Sequence, residues 1–456
     1  MGATRELVSF IHGLRFEQLP PAVVEKTKLC MLNMIGVMLA GASTRIGKMH
    51  IELAKESGGG IQDATLIGDG TKTSVAFATY ANGNLGFALD YEDTVRYIIH
   101  PGYITVSSGL AVAEKLKLSG QDLIAAVVAG YESTSRIAVA MQPSPERGTQ
   151  VWGEQYHPFA AAATAGHLMK LDENALDSAF GIAGTYATVP SVYKYFGPVA
   201  DSRPMREIKL GWGWMGMAGV MATLSASKGF RGGHGVLDGK QGFWIMAGSD
   251  RCDFERMTAG LGQNWMILET EFKIHPSIAW NHPAYEATRL LVQNHDLKAA
   301  QVERIIIKGM MTPTIDDKKP FGAVDAQFSL PYTVASTIMG EPLLPRMYDD
   351  DKINDPQMQA LLACTEVIHD RAADAAFFNE QKMIFSVAIE TRDGKRFDKA
   401  VEFPRDKPEF GRPEVEKKFR ELAATCLAER KINQIEDMIN NLDRVDDVTK
   451  LVQLLY

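Results

Sequence analysis

The feature that most limits the fold of this chain is where its apolar spacing changes. Over residues 1–268 the apolar runs have helical spacing. LPPAVVEKTKLCMLNMIGVMLAG places a proline at a helix start, sets Val23, Cys30, Met34 and Met38 on one face and closes at Gly41. Ser119 and Asp122 make a capping-box pattern ahead of QDLIAAVVAGYESTSRIAVAM, in which Glu132 and Arg136 stand one turn apart in the order that favours an ion pair. The small residues of HPFAAAATAG and LGWGWMGMAG let helix backbones approach closely. Near residue 270 the texture changes. QVERIIIKG is a β-branched run, and KMIFSVAIETRDGKRFDKAVEF alternates on both sides of Asp393-Gly394, a favoured pair for a tight hairpin. Helical stretches, HPAYEATRLLVQNH and YTVASTIMG, lie between these strand signals. After Pro404 helical stripes return, first Val415, Phe419, Leu422 and Cys426, then Ile432, Ile435, Met438, Ile439 and Leu442, and both need a surface to pack on. The pattern predicts a mostly α protein, with a discontinuous all-helical domain over 1–268 and 405–456 and a smaller α+β domain over 269–404.

A chain of 456 residues is too long for one hydrophobic core and suits two or three domains. Its 46% hydrophobic and 23% charged residues are ordinary for a soluble globular protein. A net charge of -8 with no basic stripe argues against nucleic acid and against anionic membrane surfaces as partners. Cys30, Cys252, Cys364 and Cys426 are too scattered for a CxxC ligand pair or a disulfide framework, and the expectation is that they are reduced and mostly buried. MGATRELVSF lacks the layout of a signal peptide, and Glu6 stands where a myristoylation signal wants Ser or Thr. The longest uncharged run, Leu210 to Ser227, is diluted by glycines and hydroxyl residues and reads as a tightly packed interior helix. The expected location is cytoplasmic.

Several familiar motifs are absent. GDGTKTS lacks the Gly-Lys-Ser/Thr order of a phosphate loop, GFRGGHGVLDG does not fit GxGxxG, and both read as turns. His100, His157, His167, His234, His275 and His282 include no HExxH or tight His/Cys cluster, so no zinc site is expected. There is no Gly-x-Ser-x-Gly elbow for a serine hydrolase.

What remains is polar groups set in apolar surroundings. LGFALDYEDTVRYIIHPG carries Asp90, Glu92, Asp93, Thr94 and His100 before Pro101. If ALDYEDT is helical, Asp90 and Thr94 lie one turn apart on one face. Taken alone, Asp90 could equally be a helix-terminal hydrogen-bonding residue and His100 a satisfied core histidine. FKIHPSIAWNHP adds Lys273, His275 and His282; QFSLPYTVAS adds Ser329 and Tyr332; RPMREIKLGWG adds Arg203, Arg206 and Lys209. Each of these could also be ordinary surface polarity.

Taken in order, ALDYEDT with His100-Pro101, GYESTSRI, AAAATAGHLMKLD, GFRGGHGVLDGKQGF, FKIHP with NHPAYEA, and DAQFSLPY resemble the MmgE/PrpD family. That family includes 2-methylcitrate dehydratase, cis-aconitate decarboxylase and iminodisuccinate epimerase. The resemblance covers nearly the whole chain. It implies a large helical domain with a smaller α+β lid, an active site between them, and a homodimer. Asp90, Thr94 and His100 match the family's Asp-x-x-x-Thr and following histidine, Lys273 its Lys-x-x-Pro lysine, His282 the histidine just downstream, and Tyr332 the tyrosine of Ser-x-x-Tyr. These form the catalytic set that the resemblance implies. Arg206 aligns where decarboxylase-like members have lysine, with Lys209 close by; with His157, His275 and Ser329 they form the candidate substrate-binding set. His157-Pro158 lies several residues nearer the Ala-rich helix than the family's usual His-Pro, and Ile278 occupies the place where the decarboxylase has a catalytic histidine.

The reactions of such enzymes require a carbon beside a carboxylate to carry negative charge. Preorganised donors in a closed site must hold that charge. Lys273 with Arg206 or Lys209 suits the task and would bind a small polycarboxylate. His100, tuned by Asp90, suits proton transfer, and Tyr332 or His282 could protonate a leaving hydroxyl or the carbanion. No metal or organic cofactor is demanded. The expected activity is a cofactor-independent lyase that eliminates water from a 2-methylcitrate-type substrate. Epimerisation and decarboxylation are the alternatives within the family. A non-catalytic helical scaffold is the alternative of another class, and loss of the polar set would mark it.

Overall fold

The computed structural model describes residues 2–96, 98–148, 155–187, 211–310 and 317–456. The chain divides into two compact units. The first comprises Met1–Pro190, Leu210–Phe272 and Gly411–Tyr456, and the described part of the second spans Lys273–Phe410. Arg203, Arg206 and Lys209 lie outside the described residues.

The first unit is helical because its sequence supplies starts, stops and small contact residues. Pro21 opens the Pro21–Ser43 helix, which runs two residues past Gly41. Ser119 and Asp122 form the reciprocal capping box of Gly120–Ala140, and Glu132 pairs with Arg136 one turn on at 3.0 Å. Arg136 also donates to the carbonyls of Ala259 and Asn264, so this buried charge is fully engaged. His157–Leu168 packs against Gly120–Ala140 on one side and Trp212–Ser227 on another. The second contact depends on Gly219, where a Cβ would come within 2.2 Å of the Pro158 carbonyl oxygen. The C-terminal helix Arg412–Ala423 packs on Pro21–Ser43.

Three expectations change here. The Leu210 to Ser227 run is not wholly interior: Trp214 and Met221 on its helix are exposed. Among the described residues, the single helix long and apolar enough to cross a membrane is instead Gly120–Ala140, and all of its apolar window is buried inside the fold. Of the four cysteines, all free, only Cys30 is buried; Cys426 is exposed because its helix ends at Ala423.

The second unit is α+β. Its four-stranded sheet has the order Thr365–His369, Val302–Gly309, Met383–Thr391, Arg396–Phe403, with the first pair parallel and the others antiparallel. The last two strands form the hairpin expected around Asp393-Gly394, and Gly394 takes the left-handed conformation (φ 82°) that the tight turn needs. The His282–His295 helix packs on these two strands and on Leu330–Met339.

Candidate active site

In the first unit the site begins where a helix stops. Val75–Phe87 ends before the acidic cluster, and Asp90 sits in the left-handed region at φ 53° with its amide on the Phe87 carbonyl. The residues that follow do not continue the helix. Asp93–Val95 is a short strand, antiparallel to Thr270–Phe272, with Asp93 opposite Phe272 and Thr94 opposite Glu271. The expectation of a helical ALDYEDT is therefore corrected: Asp90 and Thr94 do not share a helix face. A partner strand far along the chain outweighs local helical preference. An aspartate held buried in the left-handed region stores about 1 kcal/mol, a cost that tends to persist at functional positions.

Strand geometry then sends neighbouring side chains in different directions. Glu92 is fully buried, with Oε1 2.9 Å from His100 Nδ1. The Glu92 carboxylate thus stands at ion-pair distance from His100, a neighbour that the sequence does not single out. Asp93 accepts the Tyr131 hydroxyl, and it fits because Gly102 has no Cβ, which would lie 2.0 Å from Asp93 Oδ1. Burial pushes the Asp93 carboxyl up to about 6, against the opposing hydrogen bond from Tyr131. Burial likewise raises Tyr131 and, with help from Asp93, the Cys30 thiol behind it.

His157, also fully buried, is the first residue of the Ala-rich helix. The Trp212 ring lies 6.0 Å from His100 and 6.5 Å from His157, and Tyr103 packs 5.3 Å from His157. The Trp212 indole N–H is buried with no hydrogen-bond acceptor among the described residues. The first unit therefore gathers a carboxylate-backed imidazole, a second histidine and an available donor within an aromatic enclosure.

In the second unit, the segment that begins at Lys273 is tied down by its neighbours. Lys273 is 3% exposed and follows Phe272, the strand partner of Asp93, in the chain. His275 shares a 2.9 Å hydrogen bond between Nδ1 and the Ser277 hydroxyl, and His282 Nε2 approaches the His275 carbonyl oxygen at 3.1 Å. The Ile278 amide donates to the Gln327 carbonyl and Asn281 donates to the Thr333 hydroxyl. This unit brings the 275–282 segment, with His275 and His282, together with the 327–333 segment.

Two sequence candidates there have structural duties. The Ser329 hydroxyl caps Leu330–Met339 by accepting from the Tyr332 amide and donates to the Asp317 carbonyl. The Tyr332 hydroxyl donates to the Met347 carbonyl, and burial raises its pKa. His275 is held neutral by burial, pushed down to about 3. It lines a cavity of ≈ 290 Å³ with Tyr285, Arg289, Ser336, Thr337 and Glu341.

Among the described residues no group of three or more His, Cys, Asp or Glu side chains is arranged to hold a metal ion. Sequence reasoning had not assigned Glu92, Tyr131 or Trp212. Glu92 and Tyr131 were visible within quoted motifs, yet only their spatial partners distinguish them from other buried polar residues.

Residues 5–254 match the MmgE/PrpD N-terminal domain and residues 275–444 the MmgE/PrpD C-terminal domain. This chain belongs to the MmgE/PrpD family. Similar full-length proteins include the cis-aconitate decarboxylase of Aspergillus terreus, 24% identical over 100% of this chain and 96% of that protein. The cis-aconitate decarboxylase-like protein oryM of Aspergillus oryzae is 22% identical over 99% and 97%, respectively. The human cis-aconitate decarboxylase is 22% identical over 99% and 94%. Membership and these relatives support a lyase role in general for this MmgE/PrpD protein.

Proposed function

We propose that this protein is a cofactor-independent lyase that acts on a small di- or tricarboxylate through an enolate-like intermediate, most simply by eliminating water from a 2-methylcitrate-type substrate. The observation that carries the reading is the His100 imidazole with a buried carboxylate at 2.9 Å, in a chain of this family. His100 takes the proton from the carbon beside a carboxylate. Lys273, with Arg206 or Lys209, supplies the cationic charge that binds the substrate and holds the developing enolate. Asp90 and Thr94 orient the substrate, His157 and His275 contribute polar contacts to it, Ser329 supports the segment from its capping position without touching substrate, and His282 or Tyr332 returns a proton to the departing hydroxyl. Each is engaged by a backbone carbonyl at rest, the Tyr332 hydroxyl by Met347 and His282 Nε2 by His275. A homodimer in the cytoplasm is part of the proposal.

A second reading, decarboxylation of cis-aconitate, has the names of the relatives in its favour. Ile278 speaks against it, because a buried apolar side chain stands where the resemblance places a catalytic histidine. Purified protein given 2-methylcitrate is expected to develop the ultraviolet absorbance of a conjugated double bond. Carbon dioxide from cis-aconitate in its place would establish the second reading. Deuterium uptake at the α-carbon without elimination would establish an epimerase.

A further inference from the structure

The second unit holds a cavity that turnover does not explain. One wall is a face of the His282–His295 helix, where Tyr285, Arg289 and Val292 recur at helical spacing, and another is the C-terminal end of Leu330–Met339, with Ser336, Thr337 and, past the helix, Glu341. Among the described residues given a part in the reaction above, only His275 lines it. We propose that this cavity is a second ligand site, which takes an uncharged heteroaromatic ring of nucleobase size carrying both hydrogen-bond donors and acceptors. Binding there needs no turnover and does not rest on the proposed function.

The cavity volume of ≈ 290 Å³ lies at the small end for ligand pockets and admits one or two fused rings. Its hydrogen-bond inventory is incomplete. The His275 ring is fully buried; Nδ1 is satisfied by Ser277, which does not line the cavity, and Nε2 has no partner among the described residues. A buried polar atom left in that state is costly, and a guest that reaches it removes the cost. The Tyr285 ring lies 4.7 Å from the imidazole, and its hydroxyl has no acceptor among the described residues. Burial pushes the Tyr285 pKa up to about 12, so the group remains an O–H donor. The Ser336 and Thr337 hydroxyls both donate to the Thr333 carbonyl, so each offers a guest its lone pairs. Charge argues against an ion. Arg289 is held by both oxygens of Glu286, at 2.7 and 2.5 Å, and Glu341 pairs with Lys352 at 2.8 Å, so each charge in the wall is already matched. Burial keeps His275 neutral as well. A charged guest would lose its water without gaining a free counter-charge, whereas a neutral ring finds aromatic and apolar surface on His275, Tyr285 and Val292.

The test uses full-length protein labelled with ¹⁵N-histidine, with His275 assigned by comparison with a His275→Phe sample. The protein is titrated with two neutral rings, nicotinamide and uracil, and with their carboxylate counterparts, nicotinate and orotate. At least one neutral ring is expected to bind saturably, with a Kd of about 1 mM or tighter, and to move the His275 Nε2 resonance. Its carboxylate counterpart is expected to bind at least about tenfold more weakly. Tyr285→Phe is expected to weaken the neutral ring about two- to tenfold, and Val292→Trp, which fills the cavity from its half-buried edge, to abolish its binding. Absence of saturable binding by both neutral rings overturns the proposal. Equal binding of the carboxylate overturns the ligand class. Binding that leaves the His275 resonance unmoved, or that survives in Val292→Trp, lies elsewhere and overturns the site. Should Val292→Trp fail to fold, Tyr285→Phe decides, because unchanged affinity after loss of that single oxygen also overturns it. The expected shifts in a protein that turns over no polycarboxylate support this site while refuting the proposed function.

Discussion

Replacing His275 by phenylalanine is expected to change how the second unit responds to pH. The imidazole is fully buried and held down to about 3 from its ordinary value of 6.5. As pH falls from 6.5 toward 3, the unfolded chain therefore binds a proton that the folded chain refuses, and stability is lost across that window. Between pH 7 and pH 5 the loss integrates to about 2 kcal/mol. Phenylalanine does not titrate, and the cavity beside Tyr285 gives its larger ring room. Because a two-unit chain need not unfold in one step, a local probe is required. Amide hydrogen exchange over the His282–His295 helix suits this, since His282 contacts the His275 carbonyl. Comparing variant and wild type at one pH cancels intrinsic exchange rates. The protection ratio of variant to wild type is expected to rise about 25-fold between pH 7 and pH 5, the equivalent of that 2 kcal/mol. A ratio that does not move would refute the claim that His275 is buried and neutral. Asp93 in the first unit acts with the opposite sign: its raised pKa means stability is lost as pH rises from 3.8 through about 6.

Other outcomes can be checked directly. Gly219→Ala places a methyl against the Pro158 carbonyl and is expected to cost about 1 to 3 kcal/mol in chemical denaturation of the first unit, whereas a neutral result would mean the two helices separate easily. Arg136→Met strands Glu132 in the interior and is expected to cost about 3 to 5 kcal/mol, with much of that recovered when Glu132→Leu is added. Lys273→Ala is expected to abolish turnover and weaken heat stabilisation by polycarboxylates, and unchanged binding would revive the scaffold reading. Trp212→Phe keeps the aromatic packing but deletes the indole donor; KM is expected to rise several-fold at unchanged melting temperature.

Much of the fold was legible because it is written in short-range chemistry. Pro21, the Ser119–Asp122 box, the Glu132–Arg136 spacing and the Asp393-Gly394 turn each act within a few residues, and each is found as expected. The segment after Phe87 was misjudged because its conformation depends on Thr270–Phe272, which no local window contains. The same gap explains why Glu92 does not stand out in the sequence as a neighbour of His100. Five consecutive residues, 90–94, carry side-chain oxygens, and the left-handed turn at Asp90 with the strand after it brings Glu92 to the ring. Ser329 shows the converse. It stands just ahead of a helix, a position where serine commonly caps, and that duty occupies its hydroxyl.

The pairing of Asp93–Val95 with Thr270–Phe272 also dictates when this shelf of buried acids can exist. Its two halves leave the ribosome roughly 180 residues apart, on the order of ten to thirty-five seconds at ordinary translation rates. For that interval the nascent helices must keep Glu92 and Asp93 without their β partner, and a truncated product ending before Thr270 would carry the acidic cluster but not the architecture that gives it chemistry.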